Sequence, residues 1–530
     1  MNKNIKWLAP LICGALLLNG CGSKNEPSAS TVEQPGQTSA PVLTATPEPA
    51  NTSTVTEAPA TAAPTQESVA VQAAPILSFT TLDKEWYTQD GSFRLMSVTD
   101  YTVNVENEGF DHLEATLNQL HPGIREDNYS LLIKEAEDYY NSIGAEEKKY
   151  FWGYSSTTNA TLTRCDSSVV SLRGYYHDYT GVAHGMYAYG GENIDVPTGE
   201  VLELAEILTD PEGFYDKAIP YICDELVKTY TDGLFSGYEE AVTNAFAPNQ
   251  TSNWYLTGAG IVITFSPYEV GPYAMGAPEI TLPYAEFDSF IKENYKISQG
   301  EMITYLTANQ DYSYLLGTTQ PAMVESIYNE YYMLDVSMIS GETKSPLGTF
   351  GSFRDGYVIK RADGRSFFII VCDYMSDDFV TFVYEVTDGG LKKCAELSSV
   401  YPSNQYVTTE EIEMNRKLDI LGSYIATCNY TLDEDGLLTS KDTFYPINAF
   451  HSLTIIKDLP VTIDGAETTL NPGTSIFVTG TNNVDEIHFK VIDSDQTGII
   501  QYTLEEPDSH IHLIDGVSEY EYFESLPYAG

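Results

Sequence analysis

The sequence predicts an α+β first region, an all-β middle region and a small β-barrel at the C-terminus. Three observations predict it. Helix-period and strand-period stretches mix between residues 76 and 297, and short β-branched and aromatic runs separated by Gly-containing turns fill 298–446. Five strand signals are then crowded into 447–530.

The first 75 residues carry no fold signal. Lys3 and Lys6 precede an apolar run over 7–18, which has the length of a secretory signal core and is too short for a mature span. The run ends in Leu16-Leu17-Leu18-Asn19-Gly20-Cys21-Gly22, which resembles the lipobox of bacterial lipoproteins. The resemblance implies removal of residues 1–20, lipidation of Cys21 and attachment to the bilayer on the extracytoplasmic face of the cell membrane. Residues 21–75 are mostly Ser, Thr, Ala, Pro, Gln and Glu. Such a segment buries too little apolar surface to offset its ordering entropy, so a disordered tether is expected, spanning on the order of 40 Å as a coil.

Within 76–297, alternation in Phe93-Arg94-Leu95-Met96-Ser97-Val98 and Tyr101-Thr102-Val103-Asn104-Val105 predicts strands. Leu131, Leu132, Ala136, Tyr139 and Tyr140 recur at helical spacing after a capping Asn128, predicting a helix over 128–143. Strands are expected at 160–163, 169–172 and 186–189. Asp210-Pro211 reads as a helix start and 219–230 as a helix with Ile222, Leu226 and Val227 inward. Strands at 254–256 and 261–265 precede a last helix at 284–295.

In 298–446 a helix is expected near 322–332, then strands at 357–359, 367–372, 379–386 and 391–397. Turns at Asp363-Gly364, Thr387-Asp388-Gly389-Gly390 and Asp435-Gly436 separate such strands in an antiparallel manner. Beyond 447 the strand signals fall at 453–456, 461–463, 475–478, 487–491 and 498–502, close enough together for an SH3-like barrel.

Charge narrows the partners. The chain holds 27 Lys and Arg against 76 Asp and Glu, a net charge of −49. Residues 76–297 alone carry 12 against 35. Nucleic acid and anionic lipid need basic surface and become poor partners, whereas a cationic partner is steered in. After Cys21 come Cys165, Cys223, Cys372, Cys394 and Cys428, with no CxxC spacing, so buried thiols are expected, without zinc.

Two segments concentrate unusual residues. One is Tyr179-Thr180-Gly181-Val182-Ala183-His184-Gly185, followed by Asn193-Ile194-Asp195-Val196-Pro197-Thr198-Gly199-Glu200. The other is Phe265-Ser266-Pro267-Tyr268-Glu269-Val270-Gly271-Pro272-Tyr273-Ala274-Met275-Gly276. Their order and spacing resemble the extracellular domain of the RsiV-like, lysozyme-sensing family, also found in PdaC-type peptidoglycan deacetylases. Val182 stands where that family usually has a glycine. The resemblance implies an α+β domain over 76–297 whose loops contact lysozyme, and the expected SH3-like barrel, a type that often binds cell-wall peptides, makes peptidoglycan a further candidate partner. No Thr-Phe-Asp-Asp-Gly deacetylase motif, Gly-x-Ser-x-Gly elbow or phosphate-binding loop occurs, and no sigma-binding segment is recognised. The sequence therefore points to a membrane-anchored binding or sensing protein without cofactor or metal, not to an enzyme. A peptidoglycan-modifying deacetylase or hydrolase accessory and a structural envelope protein are the alternatives. Pro267, Tyr268, Glu269, Pro272, Tyr273 and His184 are the candidate ligand-binding residues, since a loop stiffened by proline loses little entropy on binding and tyrosine suits interfaces. His177, Asp178 and His184 form the one cluster that resembles metal ligands, but six residues separate the histidines, so a structural histidine beside a glycine turn is expected instead.

Overall fold

The computed structural model describes residues 73–530 apart from 182, 232, 247–252, 298–299, 376, 388–389, 450, 507–510 and 530. The signal sequence, Cys21, nearly all of the tether, Val182 and the centre of the 387–390 turn lie outside the described residues. Asn107 ties down the first described residues. Asn107 Oδ1 accepts from Ile76 N at 2.8 Å, and the Ala74 carbonyl accepts from Asn107 Nδ2 at 3.1 Å.

The expected α+β class holds, and the molecule is rich in β structure. The hairpin of β1 (Leu77–Tyr87) and β2 (Arg94–Val105) is followed by α1 (Asp111–Leu120) and α2 (Glu126–Ser142). Next come β3 (Tyr154–Asp166), β4 (Val169–Tyr179) and β5 (Met186–Asp195). β2 runs parallel to the start of β3, and β4 pairs antiparallel with both β3 and β5. The end of β3 pairs instead with β9 (Met302–Tyr305), which continues through β13 (Ser352–Lys360), β14 (Ser366–Asp373), β15 (Phe379–Thr387) and β16 (Gly390–Ser398). On the other side β1 leads to β17 (Val400–Val407), β18 (Glu411–Asp419), β19 (Ser423–Leu432) and β20 (Leu438–Ser440). The sheet curls until β17 returns to β15, where Thr381 Oγ1 donates to the Val400 carbonyl at 2.5 Å and Ser399 N to the Phe379 carbonyl at 2.7 Å. The result is a nearly closed, barrel-like sheet from which β4 and β5 project. The boundary expected at 297/298 falls within this sheet and does not separate two of them.

β14 shows why the sheet forms. Every residue of Ser366–Asp373 is buried. Phe367 and Ile369 face one core and Phe368, Ile370 and Cys372 another, so a strand covered on both faces reads as a continuous apolar run.

A third core lies under the projecting hairpin. α3 (Leu204–Ile207) precedes α4 (Pro211–Tyr230), whose Asp210 cap accepts from Gly213 N at 3.1 Å, as Asp210-Pro211 predicts. Phe214, Ala218, Ile222 and Leu226 fall four residues apart and pack against β6 (Trp254–Leu256), β7 (Gly260–Thr264) and β8 (Glu279–Pro283). α5 (Tyr238–Asn244) completes this layer.

Two expected helices are corrected. Residues 284–295 form only α6 (Tyr284–Phe287) and two 3-10 turns, because the Phe290 carbonyl and Lys292 N–H bond across to Thr209 N and the Ile207 carbonyl. After α7 (Ser313–Leu316), the helix expected near 322–332 is β10 (Ala322–Tyr328). It pairs residue for residue with β11 (Leu334–Ser340), which pairs in turn with β12 (Thr343–Phe350). Ala322 and Val324 alternate inward, so cross-strand pairing overrides the helical spacing.

After 440, β21 (Tyr445–Pro446), β22 (Leu453–Thr454), β23 (Leu459–Ile463), β24 (Ala466–Leu470), β25 (Ser475–Thr481), β26 (Glu486–Val491) and β27 (Thr497–Gln501) make a separate sheet. Each of the five expected strand signals contributes to it. Its buried residues, among them Leu453, Ile476 and Phe489, join the same apolar cluster as β18 and β19.

Candidate functional site

The projecting hairpin carries a row of rings. Alternate residues of a strand share a face, and the register sets Tyr175 opposite Tyr189 and His177 opposite Tyr187. Ring centroids are 5.5 Å apart for Tyr175 and Tyr189, 6.1 Å for Tyr175 and Tyr187, and 6.3 Å for the stacked Tyr175 and His177. At the inner end Arg173 lies over Tyr189, 3.7 Å from its centroid. Arg173 also holds Glu279 of β8 through two hydrogen bonds of 2.7 and 2.6 Å. Burial pulls the guanidinium pKa down, and the bonds and charge of Glu279 more than offset this, holding it above its ordinary value. The hairpin is thereby locked to β8.

At the outer end two loops converge. Tyr273 stacks on His184 at 4.1 Å, meets Tyr187 edge-on at 5.7 Å and lies 5.8 Å from Tyr268. Its hydroxyl donates to the Gly185 carbonyl at 2.9 Å. A Cβ at Gly185 would fall 2.1 Å from His177 Nε2, so a larger residue here must push that ring aside. Tyr268 is 48% exposed and has φ +74°, with Glu269 N donating back to the Ser266 carbonyl at 3.1 Å. This is a Pro-containing turn whose third position ordinarily takes glycine. A bulky side chain in left-handed backbone is strained, and such strain gathers at functional sites.

The structure brings His184, Tyr268 and Tyr273 together. Pro267 is buried and shapes the turn, Pro272 is exposed at the start of the short helix at 273–275, and Glu269 bonds its carboxylate back to Ser266 N. His177 and His184 face different rings. Among the described residues no group of three His, Cys, Asp or Glu side chains is placed to hold a metal. Sequence reasoning missed Tyr175, Tyr187, Tyr189, Arg173 and Glu279. The signal was present as Arg-x-Tyr-x-His in β4 and Tyr-x-Tyr in β5, patterns that put all five of those strand residues on one face.

Chemically the wall offers π faces and neutral hydroxyls. Burial first, and neighbouring tyrosines second, raise the pKa of Tyr175 and Tyr187, so both stay protonated donors. The exposed Glu269 follows Tyr268 in the same turn, whereas Asp178 lies on the opposite face of β4 from Tyr175 and His177. Aromatic faces beside carboxylates favour lysine and arginine side chains.

The helical layer and the Tyr268–Tyr273 loop coincide with a family match. Residues 208–285 match the model described as Protein of unknown function (DUF3298). Residues 208–285 carry a DUF3298 domain. It supplies Tyr268, Tyr273 and Glu279, while the remaining rings come from the preceding hairpin. Two solved structures of this family are similar to the chain. One, from Bacteroides fragilis NCTC 9343, is 20% identical over 42% of this chain and 96% of its own, with a TM-score of 0.32. The other, from Pseudomonas aeruginosa PAO1, is 20% identical over the same shares, with a TM-score of 0.29. No curated protein matches the chain. Among the described residues no helix is long and apolar enough to cross a membrane.

Proposed function

We propose that the chain is an extracytoplasmic binding protein, tied to the cell membrane through Cys21, whose aromatic wall takes a basic envelope-active protein. Lysozyme is the first candidate. The observation that carries this reading is the row of rings from Tyr175 to Tyr268, with Glu269 beside its outer end, spanning the hairpin and the DUF3298 domain. The RsiV-like resemblance of the same two segments supports the partner class, and the net charge of −49 supports its sign. In this reading the wall binds without turning over its ligand, and the β21–β27 sheet is an SH3-like barrel acting as a spacer or contacting peptidoglycan peptides.

Calorimetry of the full chain with lysozyme tests it. Saturable binding is expected at low and at moderate salt, tighter at low salt because charge steers association. Tyr268→Ala with Tyr273→Ala should weaken it by about tenfold or more, mainly through faster dissociation. Absence of binding at both salt concentrations would refute the partner. Unchanged affinity in the double variant would refute the site. Cys21→Ser should move the protein from the membrane to the soluble fraction, and persistence in the membrane would refute the anchor.

A further inference from the structure

We propose that a second cleft, sharing no residue with the aromatic wall, binds a glycan strand bearing carboxylate groups. The cleft has a volume of about 380 Å³ and lies between the far end of the β1–β2 hairpin and the segment entering β3. Four aromatic residues line it, Tyr87, Phe93, Phe151 and Trp152, together with three cations, Arg94, Lys148 and Lys149. None of these seven residues is acidic, in a chain where acidic residues outnumber basic ones 76 to 27. The nearest carboxylates are Glu85, which accepts from Tyr87 and Arg94, and Glu146, which accepts from Lys149. The volume falls at the lower end of small-ligand sites.

The floor is fixed before any ligand arrives. Phe93 stacks on Tyr140 at 4.5 Å and on Phe151 at 5.4 Å, over buried Leu95 and Ala136. Lys148 Nζ sits 3.9 Å from the Tyr140 ring. Trp152 is 74% exposed, and no ring stacks on it among the described residues. Its position is set by Gly153, which has φ +80°. A Cβ there would fall 2.6 Å from the Arg94 carbonyl and 2.9 Å from that of Leu95, so the chain lies flush against β2 only because this residue is glycine. The indole is thus presented to solvent beside the stacked rings of the floor.

The chemistry of the lining selects the ligand. The C–H face of a sugar ring lies on an aromatic platform, and rigid Trp and Tyr side chains give large contact area for little lost entropy. Guanidinium and ammonium groups at the rim donate charge-assisted hydrogen bonds to carboxylates. Arg94 and Lys149 already hold Glu85 and Glu146 at 2.8 Å, but these pairs are exposed, weakly bound and exchangeable. A free phosphate would leave the rings unused, so the lining favours a ligand that offers sugar faces and carboxylates together.

Calorimetric titration of the full chain with tetragalacturonate, chitotetraose and tetraglutamate tests the proposal. Tetragalacturonate should bind saturably and more tightly than the other two. Trp152→Ala should weaken it by about tenfold with the thermal transition unchanged, since the indole is exposed. Lys148→Ala with Lys149→Ala should weaken it and flatten its salt dependence. Failure of tetragalacturonate to bind at millimolar concentration, or full affinity in the Trp152→Ala variant, would overturn the proposal. Equal affinity for chitotetraose would overturn the anionic requirement. Tighter binding of tetraglutamate would assign the cleft to acidic peptides instead.

Discussion

Tyr268 occupies backbone space that glycine takes with less strain. A non-glycine residue there costs on the order of 1–3 kcal/mol. Tyr268→Gly should therefore raise the thermal midpoint while weakening lysozyme binding, a divergence that a residue kept only for packing would not produce. Loss of both stability and binding would assign Tyr268 a structural role. Other residue-scale behaviour follows from the cysteines, all five free in the described residues. Burial pushes the Cys372 thiol up to about 12 and that of Cys428, where Asp442 adds to burial, to about 11. Their folded values lie above the unfolded one, so the stability they contribute is present below about pH 9 and is lost as pH rises towards 11–12. Urea midpoints should fall between pH 8 and pH 10.5, and Cys372→Ala with Cys428→Ala should flatten that fall. At pH 8 a thiol reagent should label the half-buried Cys223 and Cys394 ahead of these two. His184, Tyr268 and Tyr273 were legible because glycine and proline mark loops. Arg173 was not, since its partner Glu279 lies 106 residues away.

At the level of elements, legibility followed how much each segment depends on a partner. α4 was readable from its cap and four-residue spacing, and β14 from its unbroken apolar run. β10 was misread because Ile327, Tyr328, Tyr331 and Tyr332, all exposed at the turn into β11, mimic a helical stripe that faces nothing. β17 to β19 went unassigned because polar residues alternate through them and their ladders join distant segments. The 179–185 turn makes the strongest element-scale prediction. A Cβ at Gly185 collides with His177, and the Gly185 carbonyl anchors Tyr273, so the two loops share one hinge. Gly185→Ala should displace His177 and loosen the stack of Tyr273 on His184. Its ring resonances in NMR should shift together, with binding reduced as far as in the Tyr268/Tyr273 double variant. Shifts confined to His177 would contradict the shared hinge.

At the scale of the molecule, composition gave class and charge but not connectivity. Strand runs in 76–195 and 302–407 look like separate regions in sequence, yet β9 pairs β3 and β17 pairs β1, so one curled sheet uses both. A fragment ending at residue 297 leaves the ends of β1 and β3 without these neighbours and splits the apolar cluster that Leu77 and Cys165 share with Ile303 and Tyr357. It should show no cooperative thermal transition, whereas a chain ending near 530 should. An independently folding 76–297 fragment would contradict the shared sheet. The most direct single measurement is hydrogen exchange on the full chain with and without lysozyme. Slowed exchange should concentrate in 175–189 and 266–276, the two segments that build the wall. Unchanged exchange there, or protection confined to other strands, would contradict its assignment as the binding surface.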